Sequence, residues 1–433
     1  MTIAAIRSLY EEAFPTRLER TRRIGIEEEF AVVKPDGTMG NIMPIFPILV
    51  AGGWYPKRDA ITEALVCVQQ DGVEVSTDVG IGVLEVSYPP AMTLFDHDRL
   101  AKLVLISVDH ALATLNLKRL TDYSAQPVTV PLPEHWAPKA RYAVFRDRLP
   151  PAVHNQTASA GSQIHMDMAR GEVLPAMEVF LSLAGVFIAL TANSPVWGGA
   201  LDPENMLASR VRFWDRFTLN HGYWSNVRVG LPPTHDAEIG RSPRSFDELA
   251  RFAAYTNFLV GVQDGAVIAP LMPFEAWCKR QNGALEGDGF RNAFLDHETT
   301  MWWEARPRIR YSTLEFRPCC QNSNTLAHHA LALGLMEELE EALSYVRMVN
   351  SYSGWRRLRD RALVRGMGTP AIDAIAHNVL RMATDGLRGR GFGEETLLEP
   401  IRHRIADKQS PAFSKVSAFD ADGLPGLLNL ILS

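Results

Sequence analysis

Cysteine is scarce: Cys67, Cys278, Cys319 and Cys320 are the only four in 433 residues. So few thiols cannot staple a chain of this length, which excludes a disulfide scaffold. No CxxC pair occurs, which argues against a structural zinc site. The loop GxxxxGK[ST] is missing, and with it the P-loop route to nucleotides. Gly389-Arg390-Gly391-Phe392-Gly393 is rich in glycine but follows no strand pattern. Long hydrophobic runs are lacking: Val179 to Asn193 is apolar but too short to span a bilayer. Glu11 and Glu12 lie near the start, where an apolar signal segment would be needed, so a reducing cytoplasm is the expected compartment. Positive charge is not in excess, since 44 Lys and Arg face 50 Asp and Glu for a net charge of −6. Nothing therefore draws the whole chain to nucleic acid or to an anionic membrane.

Apolar residues make up 46% of the chain and charged residues 22%, the balance of a globular protein with material for a large core. Residues 2–22 read as an amphipathic helix. Arg23 to Val33 turns apolar and β-branched around an acidic centre, a strand pattern closed by the turn Lys34-Pro35-Asp36-Gly37. Val73 to Thr77 and Gly82 to Ser87 read as strands, Phe95 to Leu117 as a helix, and Ser162 to Met168 as a strand. Leu174 to Ala192 is a strongly apolar helix. Residues 198–245 suggest long loops, and Ser245 to Val262 a helix capped by Ser245 with Glu248 three residues on. Arg310 to Arg317 is a strand. Leu326 to Arg347 is a long helix, followed by helices over 355–366, 370–384 and 393–407. Strands spread along the chain and a helical region from about residue 326 predict an α+β fold. With no Pro/Gly/Ser-rich linker between them, one composite domain over 1–433 is expected.

The strands share a chemical character. In Ile24-Gly25-Ile26-Glu27-Glu28-Glu29-Phe30, alternation puts Glu27 and Glu29 on one face and Glu28 on the other. Two carboxylates side by side repel, and their burial is costly unless cations compensate. Magnesium, which prefers oxygen ligands, would do so; an exposed edge strand with solvated glutamates is the alternative. Glu85 stands alone between Leu84 and Val86, seven residues after Asp78, either facing solvent or ligating. In Ser162-Gln163-Ile164-His165-Met166-Asp167-Met168, the residues Gln163, His165 and Asp167 share a polar face opposite an apolar one. A histidine beside a carboxylate there suits a metal or a phosphate. Arg306-Pro307-Arg308-Ile309-Arg310 leads into Thr313-Leu314-Glu315-Phe316-Arg317, where Glu315 and Arg317 share a face. Such arginines suit a triphosphate, though a solvated basic loop would read the same way.

Taken in order, these segments resemble the glutamate–cysteine ligases, above all the plant and proteobacterial branch and its carboxylate–amine ligase relatives. The resemblance rests on Gly25 to Phe30, Asp78 with Glu85, Gln163 to Asp167, Ala192-Asn193-Ser194-Pro195 and Ser209-Arg210 with Trp214. It continues through His297-Glu298-Thr299-Thr300, Arg306 to Arg308, Thr313 to Arg317 and Gly386 to Phe392. It implies a glutamine-synthetase-like fold, in which a curved, mainly antiparallel sheet forms a funnel with helices outside. It also implies ATP with two or three Mg²⁺ ions, phosphorylation of a carboxylate, and attack by an amine to give an amide. By the same resemblance Glu27, Glu29, Glu85, His165 and Glu315 are metal ligands. Arg306, Arg308 and Arg317 contact nucleotide and acyl phosphate, with Arg308 and Arg317 catalytic. Asp78, also catalytic, lies near the metals or the incoming amine, and Gln163, Arg210 and Trp214 line the substrate pocket. Amino acids and ATP are the implied partners, without nucleic acid or membrane, in a monomer or homodimer. Glutamate and cysteine are the default pair; another acid or amine, or a non-catalytic ligand-binding relative, are the alternatives. Met301-Trp302-Trp303-Glu304, Arg310-Tyr311-Ser312 and Cys319-Cys320-Gln321 depart from the family pattern near the nucleotide and substrate mouth. The cysteine pair reads as buried thiols rather than a redox switch.

Overall fold

The computed structural model describes residues 2–219, 242–281 and 285–433. Its centre is a nine-stranded sheet: β1 (Ile24–Val33), β2 (Tyr55–Arg58), β3 (Leu65–Gln70), β4 (Val73–Thr77), β5 (Val83–Ser87), β6 (Lys118–Arg119), β7 (Ser162–Asp167), β8 (Ala305–Arg308) and β9 (Thr313–Phe316). The spatial order is β8-β9-β7-β1-β5-β4-β3-β2, with β6 paired to the end of β1. Every pairing is antiparallel. The fold is α+β with a mainly antiparallel sheet, as the spread of strands and the helical C-terminal third suggested.

Register decides what the sheet can do. Glu29 pairs with Glu85, Glu27 with Gln163, His165 with Glu315, and Glu315 with Arg306. Directly opposed residues point to the same side of a sheet, so strands far apart in sequence put their polar residues on one face. The other face carries Ile26, Phe30, Val86, Ile164, Met166, Leu314 and Phe316, all buried. Phe316 packs its ring 4.7 Å from Phe187 and 4.9 Å from Phe180 of helix α1 (Val173–Thr191). Each such side chain contributes roughly 1.5–3 kcal/mol by leaving water. Glu28 is the exception on this face: it is buried, and burial raises its carboxyl pKa.

The apolar helix runs over Val173–Thr191, within one residue of the sequence reading at each end. Residues Arg170–Thr191 hold a window of mean hydropathy 2.2, long enough by composition to cross a membrane. Of that window 83% is buried inside the molecule, which makes it a core helix. Around it lie α2 (Ser209–Leu219), α3 (Thr325–Glu337), α4 (Tyr352–Arg365) and α5 (Ile372–Arg390).

Several boundaries differ from the sequence reading, each for a local reason. The first helix stops at Ala13, just before Pro15. The long helix expected over 326–347 breaks at Glu338, whose φ −105 and ψ 36 leave helical geometry. The helix from Ser245 ends at Tyr255, because Thr256 turns extended and Asn257–Phe258 pairs with Met272–Pro273. Ser312 has φ 56, so Arg310 to Ser312 form the turn between β8 and β9 instead of extending the strand. Ala140–Arg148, Gly287–Thr299 and the C-terminal Ala412–Leu432 are helices the sequence reading did not single out. Of the loop region anticipated over 198–245, Ser209–Leu219 is a helix and residues 220–241 lie outside the described residues.

Candidate active site

Two cavities open on the polar face. The smaller, about 240 Å³, is lined by Glu27, Glu29, Asp78, Glu85, Gln163, Trp214, Arg306, Arg308 and Arg317 among others. The larger, about 810 Å³, is lined by Glu27, Glu85, His165, Lys139, Arg58 and Arg310 among others. Glu27, Glu85 and Arg141 line both, so the cavities meet along β1 and β5.

At one side of the junction the carboxylates outnumber the cations. Oxygens of Glu29, Asp78 and Glu85 all lie within 4.8 Å of one another. Glu29 accepts hydrogen bonds from the Gly161 backbone N–H at 2.5 Å and from Gln163 Nε2 at 2.6 Å. Burial, and then the charge of Asp78, still push its carboxyl up to about 7. The same two causes raise Glu85 well above the usual carboxylate range. A divalent cation fits this donor set, since all-oxygen ligation is what magnesium takes and a cation would remove the repulsion that raises these groups.

Glu27 and His165 form a second donor pair, with His165 Nε2 3.3 Å from Glu27 Oε1. Burial works against the Glu27 charge, but His165 holds its carboxyl below the ordinary value. His165 Nδ1 lies 3.2 Å from the Thr313 hydroxyl, which orients the ring.

On β8 and β9 the balance inverts. Glu315, fully buried, receives Arg306 Nε at 2.9 Å, Arg306 Nη2 at 3.0 Å, Arg308 Nη1 at 2.5 Å, and Arg317 Nη1. Burial would raise its carboxyl, yet Arg306, Arg317 and Arg308 together hold it well below the normal range. Both Glu315 oxygens are thus occupied by guanidinium groups, while its expected role was metal ligation. Arg306 is pinned further by the carbonyls of Glu298, Thr299 and Met301 at 2.9 to 3.1 Å. Arg308 and Arg317 keep donors toward the smaller cavity.

The expected substrate residues separate. Gln163 joins the two halves, donating to Glu29 and accepting from Arg317. Trp214 lines the smaller cavity and donates its indole N–H to Ser159 Oγ at 3.3 Å. Arg210 sits behind the wall, where its Nη1 donates to the Arg317 carbonyl at 3.1 Å. It reaches there because residue 161 is glycine; a Cβ would stand 2.0 Å from the Arg210 guanidinium.

Lys139, Arg141 and Tyr142 line the cavities and were not anticipated, whereas Trp302 lies in the Met301–Glu304 segment expected near the mouth. Lys139 Nζ donates to the Thr77 carbonyl at 2.5 Å, and Arg141 lies 4.9 Å over the Tyr142 ring. Two cations spaced by one small residue before an aromatic, Lys139-Ala140-Arg141-Tyr142, were the available signal. Tyr142, Phe145, Trp214 and Trp302 make one end of the smaller cavity aromatic. The Trp214 and Trp302 rings are 5.0 Å apart.

This sheet, with acidic and arginine-rich ends converging on paired cavities, suits an ATP-dependent ligase, the class to which the family match assigns the chain. The chain belongs to glutamate–cysteine ligase family 2, whose model matches residues 23–413. A putative glutamate–cysteine ligase 2-1 of Rubrobacter xylanophilus is 24% identical over 92% of this chain and 94% of its own length. The chloroplastic glutamate–cysteine ligase of Arabidopsis thaliana is 22% identical over 66% of this chain, which spans 54% of that relative. Among solved structures, the glutamate–cysteine ligase of Francisella tularensis in complex with AMP matches with a TM-score of 0.59 and 10% identity, covering 96% of this chain and 88% of that one. A bifunctional glutathione synthetase from Pasteurella multocida matches with a TM-score of 0.53 and 14% identity, over 99% of this chain but 52% of its own.

Proposed function

We propose that this protein joins glutamate to L-cysteine at the expense of ATP, giving γ-glutamylcysteine, ADP and phosphate through a γ-glutamyl phosphate. The observation that carries the reading is the junction of the two cavities, with clustered carboxylates on one side and three arginines on the other. The larger cavity takes the nucleotide and the smaller takes the acid and the amine. Bound Mg²⁺, two or three ions, supplies charge neutralisation for the triphosphate; Glu29 and Glu85 would hold one ion, and Glu27 with His165 another.

Glutamate's γ-carboxylate oxygen bonds to the terminal phosphorus while the bond to ADP breaks. Arg308 and Arg317 face the oxygens on which charge gathers, and they are already aligned by Glu315, so no reorganisation is needed as charge develops. The amine nitrogen then bonds to the acyl carbon and phosphate leaves. Asp78 accepts the proton that the amine gives up. Gln163 keeps the carboxylate side and the arginine side in fixed relation.

A second reading keeps the chemistry and changes the amine. The aromatic end formed by Tyr142, Phe145, Trp214 and Trp302 favours it, because cysteine needs no aromatic enclosure. A non-catalytic relative is disfavoured, since the acidic residues and arginines converge intact. The deciding experiment incubates the purified protein with ATP, Mg²⁺ and glutamate, with cysteine or each member of an amine panel, reading ADP release and product mass. A γ-glutamylcysteine mass establishes the first reading. ADP with another amide mass replaces the amine, and silence with no Mg–ATP binding overturns both.

A further inference from the structure

Away from both cavities, Arg359 of α4 is buried between two acidic groups from separate segments. Its Nη1 and Nη2 donate to the two oxygens of Asp215 at 2.8 and 3.0 Å, a bidentate fork that fixes angle as well as distance. Its Nε donates to Glu304 Oε1 at 2.6 Å, and Nη1 also lies 3.3 Å from Asp360 Oδ1. Asp215 directly follows Trp214 on α2. Glu304 ends the Met301-Trp302-Trp303-Glu304 segment and leads into β8, and its carbonyl accepts the Arg317 N–H at 2.9 Å. The guanidinium thus joins the two chain segments that bring Trp214 and Trp302 together. Its own backbone is held in place: a Cβ at Gly185 of α1 would stand 2.7 Å from the Arg359 Cα, so the two helices are in direct backbone contact.

A buried ion network of this kind gives less stability than well-packed apolar side chains of the same volume would. What it adds is a fixed orientation. Neither Arg359, Asp215 nor Glu304 lines either cavity at the junction, so none is placed to touch substrate. We propose that Arg359 is a positioning residue for the smaller cavity: it locks the Trp214 wall to the Trp302–Arg306 wall and thereby sets the affinity for acid and amine while leaving the nucleotide side untouched. This rests on the ligase reading for its substrates but not for its geometry.

The test compares the wild type with Arg359→Lys, Arg359→Met and Asp215→Asn, measuring KM for acid and amine, Kd for Mg–ATP, and amide hydrogen exchange by mass spectrometry. Lysine keeps the charge and loses the fork. The expected result is a loss of about 10- to 100-fold in kcat/KM carried mainly by KM, the scale of a small misplacement. The Mg–ATP Kd should stay within about twofold, since none of Arg359, Asp215 and Glu304 lines the larger cavity assigned to the nucleotide. Exchange should quicken over 209–219 and 300–304 and stay unchanged over β1. Nucleotide affinity falling in step with KM, or exchange rising over β1 as well, would make Arg359 a general stabiliser and overturn the proposal. Wild-type values in all three variants would do the same. Asp215→Asn carries the test if Arg359→Met does not fold. If the wild type turns over no acid–amine pair, the ligase reading fails by itself. The exchange data then still decide whether the clamp orients these two walls.

Discussion

The two ends of the polar face are built from the same residue types and reach opposite electrostatic states. At β1 and β5, Glu29, Asp78 and Glu85 crowd together, and burial with mutual repulsion raises Glu29 to about 7 and Glu85 well above the normal range. At β8 and β9, Glu315 is more deeply buried than either, yet three arginines hold it well below that range. Burial is common to both ends, so the partner decides the outcome. The acidic end has more carboxylates than cationic side chains and is suited to receive a cation. The arginine end has cationic donors left over after Glu315 is satisfied and is suited to receive an anion. A metal-bound phosphate has both requirements.

The arginine end should be the more fragile. Glu315→Gln removes the charge around which Arg306, Arg308 and Arg317 are arranged and leaves buried guanidinium groups without a counter-ion. The expected loss is about 3–5 kcal/mol of stability, as for other broken buried pairs, read as a fall in the urea midpoint. Wild-type stability in this variant would break the comparison at its strongest point. Arg317→Met, by contrast, leaves Glu315 two arginines; it should keep the fold and cost about 100- to 1000-fold in kcat, the scale of a lost preorganised donor.

At the acidic end the same kind of substitution should stabilise. Glu29→Gln removes a carboxylate that burial and Asp78 disfavour, so the metal-free protein should gain stability at pH 8 while turnover is lost. The pH dependence gives the sign. The folded-state pKa of Glu29 is raised, so its contribution is fully present below its unfolded value near 4.5 and is lost as pH rises through about 7. The shift corresponds to roughly 3 kcal/mol at most. Glu304, also near 7, titrates in the same window, so the difference between wild type and Glu29→Gln isolates Glu29. Glu315 runs the other way: its contribution is present above about 4.5 and disappears only in strong acid. Urea midpoints of the chelated protein from pH 4 to pH 9 would show the Glu29 limb, and adding Mg²⁺ should flatten it. A slope unaffected by Glu29→Gln would separate the acidic cluster from any cation role.

Much of this contrast was legible in the sequence, and the reason is periodicity. Strand alternation alone put Glu27 with Glu29, and Gln163 with His165, on one face. The order of short motifs then suggested that these strands meet. What alternation does not carry is the pairing partner. Nothing in Thr313 to Arg317 says that Glu315 lies opposite Arg306, because that depends on a hairpin turned by a left-handed Ser312. Lys139 and Arg141 escaped for a related reason: they open the helix Ala140–Arg148, and tertiary placement alone brings them to the cavities. Arg210 was legible as part of the site but not as a group behind its wall, which only the approach past Gly161 reveals.

The smallest expected effect concerns thiols beside the arginine end. Cys319 and Cys320 follow directly on β9 and Arg317-Pro318, close enough to look like a switch on the anion side. Both are buried, and burial raises both thiols, Cys319 well above its ordinary value. Since the thiolate is the reactive form, these two are protected by the same desolvation that the arginines overcome at Glu315. Cys67 and Cys278 are each pushed up to about 12, again chiefly by burial. Turnover should therefore be the same with and without reductant. A chromogenic disulfide reagent should modify the native protein slowly, beginning at Cys278, the most exposed of the four. Rapid modification at Cys319 or Cys320 with loss of activity would show that the arginine end opens to solvent, and would remove the basis on which it is set against the acidic one.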